Sequence, residues 1–167
     1  MISKITEVNP IIWENNRVLL IDQTCLPGEH KIVEIKSYEE MALAIKTMIV
    51  RGAPSIGISA AYGMYLGAKE ISITDRNKFL KQLEEIAVIL RKTRPTAVNL
   101  FWAIKKMLKV ANQTSGSVEE IQIALLETAK NIHAEDLQTC KNIGDRGVEV
   151  LPTTPEKLNI LTHCNAG

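Results

Sequence analysis

The segment that decides the fold runs from Ser55 to Ala68 and reads SIGISAAYGMYLGA. Glycines and alanines recur between larger apolar residues, and no charged side chain interrupts the run. Small residues, glycine above all, lower the intrinsic tendency to form a helix. We therefore interpret this segment as a buried helix that neighbouring elements approach closely.

Upstream of this helix, the sequence has the alternation that is typical of β-strands. Ile11–Trp13 and Arg17–Ile21 flank Asn15-Asn16, a dipeptide that favours a tight turn. Residues 31–35 alternate again after the break at Leu26-Pro27-Gly28. The sequence predicts a hairpin followed by a third strand.

Four further helices are predicted around the buried one. Ser37 and Ser117 each stand three residues before a glutamate, which is the spacing of a capping box at a helix start. The helix after Ser37 should stop near Gly52, another should run from Asp75 to Lys92, and a third should begin at Pro95. Each of these four helices has one apolar face that we expect to point inward. After Ser37 it is Met41, Ile45, Met48 and Ile49, and after Asp75 it is Phe79, Leu80, Leu83, Ile86, Ala87 and Leu90. After Pro95 it is Leu100, Phe101, Ile104, Met107, Leu108 and Ala111, and after Ser117 it is Ile121, Leu125, Ala129, Ile132, Leu137, Cys140 and Ile143.

The last predicted helix reaches toward Val150 and ends at the prolines that follow. The β-prone run Leu158–His163 then leads into the small-residue loop Cys164–Gly167. A strand that feeds such a loop normally precedes a helix in a βαβ unit. The sequence therefore predicts an α/β fold: a domain of a few antiparallel strands plus a helical bundle over residues 1–155, and the first strand of a truncated Rossmann-like domain over residues 156–167.

Composition narrows the classes of partner. The net charge is only +1, which gives little attraction for a phosphate backbone, and aromatic residues that could stack on bases make up 4% of the chain. We therefore expect no nucleic-acid partner. No apolar run approaches the roughly 20 residues that cross a bilayer, and the first residues lack a secretion signal. We expect a cytoplasmic protein with no membrane partner. Cys25, Cys140 and Cys164 have the spacing of neither a disulfide framework nor a metal site, so we expect reduced thiols and no metal.

The first candidate site is RGAPSIG, residues 51–57, where Arg51 and Gly52 directly precede a predicted helix start. The first amides of a helix lack internal partners and lie at the positive end of its dipole, so they can hold a phosphate. Arginine adds a forked cationic donor. A plain turn between helices with a solvated arginine needs the same residues, and the spacing leaves both interpretations open.

The second candidate is TRPTAVN, residues 93–99, in which Arg94 again precedes a predicted helix. Its guanidinium could hold another side of the same anion. Lys92 and Arg94 would equally suit the carboxyl end of the preceding helix, where cations interact favourably with the dipole.

The third candidate is Cys164 in THCNAG, residues 162–167, just beyond the last predicted strand. Open α/β sheets bind ligands at strand ends, and amides at the start of a following helix would favour a thiolate. A cysteine in this position can also be a packed, inert thiol. His163 would point to the opposite face, so no Cys–His pair is implied.

Taken together, RGAPSIG, TRPTAVNLFWA (Thr93–Ala103) and THCNAG closely resemble methylthioribose-1-phosphate isomerase, the aldose–ketose isomerase of methionine salvage. Leu20-Ile21-Asp22-Gln23 adds weaker support, and the resemblance spans essentially the whole chain. That family shares a superfamily with ribose-1,5-bisphosphate isomerases and the regulatory subunits of translation initiation factor 2B.

The resemblance implies that Cys164 is the catalytic cysteine and that Arg51, Gly52, Ala53 and Arg94 hold the substrate phosphate. It also implies a homodimer, a small N-terminal domain before a larger Rossmann-like one, and chemistry without a cofactor. The catalytic aspartate of the family has no match in these 167 residues, so we expect an N-terminal portion that does not turn over by itself. The alternatives are a non-catalytic subunit that senses a sugar phosphate or nucleotide, and an isomerase of another pentose phosphate.

Overall fold

A computed structural model describes residues 9–152, 154 and 157–161. These residues form a three-stranded antiparallel sheet and five helices. In chain order the elements are β1 (Ile11–Glu14), β2 (Arg17–Ile21), β3 (Ile32–Ile35), α1 (Tyr38–Lys46), α2 (Ala53–Glu70), α3 (Arg76–Arg91), α4 (Val98–Gln113) and α5 (Val118–Glu149).

The predicted hairpin and third strand are confirmed. β2 is the central strand and pairs antiparallel with both β1 and β3. Asn15 and Asn16 have φ values of 47° and 61°, a left-handed turn that asparagine tolerates and that matches the twist of a hairpin. Val18 and Leu20 of β2 are fully buried, so this face of the sheet contributes to the core.

Helix α2 is the buried helix that the small residues predicted. Every residue from Ile56 to Ala68 is buried. A Cβ placed on Gly63 would lie 3.0 Å from the Met41 side chain of α1, and one on Gly67 would lie 2.8 Å from the Ile86 side chain of α3. The glycines therefore let α1 and α3 approach the α2 backbone.

The predicted caps are confirmed, whereas two helix ends differ from the prediction. Ser37 and Ser117 each form a complete capping box. Helix α1 ends at Lys46 rather than near Gly52, because Thr47 closes it and Met48 turns the chain with a φ of 66°. Met48 is consequently exposed. Helix α4 begins at Val98 rather than Pro95, because the preceding residues form a turn in which the Ala97 amide donates to the Arg94 carbonyl at 3.0 Å.

The predicted inward faces are confirmed for most of the bundle and wrong for part of it. Phe79, Leu83, Ile86, Ala87 and Leu90 of α3 are buried, as are Leu100, Ala103, Ile104, Met107 and Ala111 of α4, while Phe101 is exposed. In α5 the buried residues are Val118, Ile121, Leu125, Ala129 and Ile132. The later positions Leu137, Cys140 and Ile143 are exposed, because no element in the described part of the chain covers this half of the helix.

The predicted final strand is not observed where it can be judged. Residues 158–161 carry no strand, since within the described ranges no neighbouring strand pairs with them. Residues 162–167 lie outside the described residues, and the Rossmann-like second domain stays a prediction. No helix in the described ranges is long and apolar enough to span a membrane.

Candidate phosphate site

The two arginine-bearing bends lie at neighbouring helix starts. Arg51 stands two residues before α2, and Arg94 stands four residues before α4. The second turn of α2 contacts the first turn of α4, because a Cβ on Gly57 would lie only 3.1 Å from the Asn99 carbonyl oxygen. Helix α3 runs back along α2 and so returns the chain to the same end of the bundle before α4 begins.

These two helix starts lack the caps that the other three possess. Ser37, Asp75 and Ser117 accept hydrogen bonds from amides in the first turns of α1, α3 and α5. The capping residues of α2 and α4 are Gly52 and Ala97, whose side chains offer no acceptor. Neither α2 nor α4 has an acidic residue in its first turn. Their capping residues therefore leave the amides of Ala53 and Ser55 in α2, and of Val98 and Asn99 in α4, without the side-chain acceptor that α1, α3 and α5 have.

The backbone at Gly52 gives the first bend its shape. Its φ is 91°, a region that side-chain-bearing residues avoid, and Pro54 follows within the first turn of α2. The Ile56 amide donates to the Gly52 carbonyl at 2.9 Å, which starts the helical ladder. The bend thus presents Arg51, Gly52 and Ala53 in succession at the positive end of the α2 dipole.

Charge and exposure at this end suit an anion. Arg51 is exposed and Arg94 is half-buried, and neither of them lines the groove described below. Two positive helix ends and two guanidinium groups favour a ligand that carries more than one negative charge and several acceptor oxygens. A phosphate has both properties.

A groove of about 420 Å³ begins beside this end of the bundle. It lies between the starts of α2 and α4 and the middle of α5, and it is lined in part by Pro54, Gly57, Val98, Asn99, Trp102 and Asp136. Lys106 fixes one wall, since its ammonium lies 5.3 Å from the centre of the Trp102 ring and 3.0 Å from a Glu135 carboxylate oxygen. The groove could receive the uncharged part of a phosphate-bearing ligand.

Sequence reasoning found the arginines and missed the groove. Asn99 and Trp102 lie within the TRPTAVNLFWA motif and off the predicted inward face of that helix, but nothing in the local pattern distinguished groove residues from an ordinary exposed face. Asp136 comes from α5, more than thirty residues further along the chain, and only the packing of α5 against α2 and α4 brings it here. Gln23 was not singled out by the sequence either, although its backbone amide donates to the Ile49 carbonyl at 3.0 Å, two residues before Arg51.

The cysteines separate into two groups. Cys164 and the rest of THCNAG lie outside the described residues, so the position of the predicted catalytic thiol relative to the bends is untested. Cys25 is half-buried and Cys140 is exposed, and both are free thiols. Within the ranges that the structure describes, no group of three His, Cys, Asp or Glu side chains is arranged to hold a metal.

Comparison with known proteins places this site within a family. The sequence profile of the initiation factor 2 subunit family matches residues 49–167. The chain belongs to the initiation factor 2 subunit family. The matched range begins just before Arg51, so both bends and the helices α2–α5 fall in the region that defines the initiation factor 2 subunit family.

Individual relatives are more specific. The chain is 76% identical over all 167 residues to the methylthioribose-1-phosphate isomerase of Trichodesmium erythraeum and covers 47% of that protein. A crystal structure of 5-methylthioribose 1-phosphate isomerase from Pyrococcus horikoshii is similar with a TM-score of 0.82 at 38% identity, over 87% of this chain and 41% of that one. Translation initiation factor eIF-2B, subunit delta, from A. fulgidus is similar with a TM-score of 0.79 at 37% identity, over 89% of this chain and 43% of that one. The resemblance to methylthioribose-1-phosphate isomerase is confirmed, and the chain spans just under half the length of these proteins.

Proposed function

We propose that this chain supplies the phosphate-holding part of an aldose–ketose isomerase that converts 5-methylthioribose 1-phosphate to 5-methylthioribulose 1-phosphate in methionine salvage. The observation that carries the proposal is the pair of adjacent helix starts, α2 and α4, each without a side-chain cap and each preceded by an arginine. The 76% identity to an isomerase of that name supports the choice of substrate.

In this proposal Arg51, Gly52, Ala53 and Arg94 hold the phosphate on C1 of the sugar. With that carbon blocked, the ring opens only when an acid protonates the ring oxygen, and a proton must then move between C2 and C1. Cys164 is proposed to carry that proton, and an aspartate from outside these 167 residues is proposed as the acid. A hydride shift between the two carbons is the alternative route. Neither route requires a cofactor.

The proposal extends to organisation. We propose that residues 1–155 form the N-terminal domain, that residues 156–167 begin a Rossmann-like domain, and that the working enzyme is a cytoplasmic homodimer. The groove beside the bends supports this division into two domains. Its described walls come from α2, α4 and α5, and a further domain would cover its open side.

A second function has specific support. The structural similarity to translation initiation factor eIF-2B, subunit delta, favours a non-catalytic subunit that binds a sugar phosphate or nucleotide at the same helix starts. Identity to that protein is 37%, against 76% to the Trichodesmium erythraeum isomerase, so the isomerase is the better-supported function. An isomerase acting on another pentose phosphate would use the same phosphate site.

The test is a chimera in which this chain replaces the matching residues of the Trichodesmium erythraeum protein. We expect Arg51→Ala and Arg94→Ala each to raise KM by about tenfold to a hundredfold, since each removes a charged hydrogen-bonding group. Cys164→Ala should abolish turnover. Arg76→Ala is the matched control, because this arginine donates to the Asn112 carbonyl at the other end of α4, at 2.8 Å.

Each outcome has a clear meaning. An unchanged KM in both Arg51→Ala and Arg94→Ala would contradict the phosphate site, and unchanged turnover in Cys164→Ala would remove the thiol from the mechanism. A folded chimera that binds a nucleotide or sugar phosphate but never isomerises methylthioribose 1-phosphate would favour the sensing subunit. Product formation is followed by phosphorus NMR, which separates the substrate and product phosphates.

A further inference from the structure

The Arg51–Gly52 bend lies on a connector that is anchored one residue earlier by Val50, whose side chain is 1% exposed and belongs to the core. Residues 47–52 join α1 to α2 without helical structure, and two of them, Met48 and Gly52, have φ values of 66° and 91°. The Val50 amide of the connector donates to the Ala44 carbonyl of α1 at 3.4 Å, which is long for a hydrogen bond. A connector with such a backbone keeps one conformation only when neighbouring groups fix it.

Gln23, in the loop between β2 and β3, contacts this connector through two donors. Its backbone amide donates to the Ile49 carbonyl at 3.0 Å, and its side-chain Nε2 donates to the Arg51 carbonyl at 3.4 Å. The two carbonyls belong to alternate residues of the connector. The backbone bond is the shorter of the two and holds the connector at Ile49, and the longer side-chain bond adds a second point of attachment at the Arg51 carbonyl itself.

Gln23 is itself held by a rigid neighbour. Asp22 is buried, with 6% of its surface exposed, and its amide donates to the Lys31 carbonyl at 2.8 Å. Its carboxylate accepts from the Thr24 hydroxyl at 2.6 Å and from the Thr24 amide at 3.0 Å, which closes a turn around Gln23. The Thr24 hydroxyl is the main reason that the pKa of Asp22 is lowered. The sheet thus presents Gln23 to the connector from a locked turn.

We infer that Gln23, held by the Asp22 turn, is a positioning residue for the phosphate site, and this inference rests on the proposed function. In this role Gln23 acts through the Arg51 carbonyl, by fixing where Arg51, Gly52 and the first amide of α2 lie. Loss of the side-chain bond lets the connector sample other conformations. The affinity for the phosphate then falls. The rate of the chemical step stays the same, because the residues that act on the reacting carbons are different ones.

The experiment uses the same chimera and the variant Gln23→Met, which keeps the length of the side chain and removes its donor. We expect KM to rise about two- to fivefold, the lower part of the range for losing one hydrogen bond because this bond is long at 3.4 Å, with kcat within about twofold of the parent. Inhibition by inorganic phosphate should weaken by the same factor, because that probe reports the phosphate site without the sugar.

The matched control is Gln122→Met. Gln122 donates from Nε2 to the Ala68 carbonyl at 2.8 Å, so this variant removes the same kind of bond at the opposite end of α2. Both variants should lower the melting temperature, whereas only Gln23→Met should change KM and phosphate inhibition. Equal effects of the two variants on KM would overturn the inference, since they would reflect general loosening of α2.

Asp22 supplies a second variant if Gln23→Met does not fold. Asp22→Asn retains an oxygen that can accept both Thr24 bonds, so its KM should stay near that of the parent, whereas Asp22→Ala should raise KM as Gln23→Met does. A normal KM in Asp22→Ala or in folded Gln23→Met, together with a raised KM in Arg51→Ala, would refute the positioning role and leave the phosphate site standing. A normal KM in Arg51→Ala would instead refute the proposed function.

Discussion

At the residue scale, glycine acts in α2 through the space that it leaves. Gly67 lies so close to α3 that an added Cβ would be 2.8 Å from Cδ1 and 2.9 Å from Cγ2 of Ile86. The second of these atoms is attached to a branched Cβ, which rotates little inside a packed core. Gly144 in α5 provides the contrast, because an added Cβ there would meet nothing within 4 Å.

We predict that Gly67→Ala and Gly144→Ala change stability in opposite directions. Gly67→Ala should lower the free energy of unfolding by about 1–3 kcal/mol, because the new methyl forces α2 and α3 apart. Gly144→Ala should raise it by about 0.5–1 kcal/mol, because alanine favours an exposed helix without a steric cost. Urea denaturation of the 167-residue chain measures both. Equal stabilisation by the two substitutions would contradict the close packing of α2 on α3.

The site residues show what the sequence could and could not predict at this scale. Arg51 and Arg94 stand out because Arg51 directly precedes a glycine and Arg94 directly precedes a proline, and both signals are local in the sequence. The contact between Gly57 and Asn99 depends on α3 reversing the chain over its whole length, so no local pattern records it. Gln23 lies in a different element from Arg51 altogether, and its role follows only from the packing of the β2–β3 loop on the connector.

At the element scale, the length of α5 was predictable whereas its burial was not. Apolar residues recur at helical spacing through residue 143, and the helix duly forms to Glu149. The pattern records which residues share a face, but it carries no information about whether a partner covers that face. In the described part of the chain, Ile132 is the last buried residue of α5, and it lies beside the first residues of α2 and α4.

Helices α2 and α5 are joined by an aromatic contact near this point. The Tyr62 hydroxyl lies 3.4 Å from Nδ1 of His133, and the Trp13 ring of β1 stacks on Tyr62 with centres 5.3 Å apart. Burial raises the pKa of Tyr62 to about 12, so the phenol stays protonated. Burial also lowers the pKa of His133, although Asp136 partly opposes this shift. Burial therefore favours a neutral imidazole at His133.

We predict that His133 makes folding sensitive to mild acid. The unfolded chain binds a proton on this histidine at its ordinary pKa of 6.5, while the folded chain resists protonation until a lower pH. Unfolding then takes up protons, so the free energy of unfolding should fall as the pH drops through about 6.5. Urea denaturation at a series of pH values, compared between the parent chain and His133→Gln, measures the effect.

The comparison isolates His133 from the other titrating groups. The pKa values of Asp22, Glu34 and Glu119 are lowered, so the stability that they contribute is lost only at more acidic pH, and the raised pKa of Glu70 acts in the opposite direction. These groups are common to both proteins. The stability of the parent relative to His133→Gln should decline between about pH 7.5 and pH 5.5. A constant difference over that range would contradict a buried neutral His133.

At the scale of the whole molecule, the proposed function requires that the described residues form only one side of a reaction site. The helix starts and the groove beside them meet solvent, and Val98 and Trp102 on the groove wall are exposed by 78% and 49%. Isomerisation of a sugar phosphate passes through a reactive intermediate, which a wet site would lose to side reactions. The relatives that match this chain are about twice its length, and the remaining half is where we propose that the cover and the acid reside.

We therefore predict that the 167-residue chain binds without turning over. Binding needs only the α2 and α4 starts with their arginines, so inorganic phosphate should shift the amide NMR signals of Gly52 and Ala53, and Arg51→Ala should abolish the shifts. Isomerisation also needs a dry site and a second titrating group, so phosphorus NMR should show no product with the chain alone and product with the Trichodesmium erythraeum chimera. Sustained turnover by the 167-residue chain, verified by mass spectrometry, would show that these residues contain the acid as well as the phosphate site.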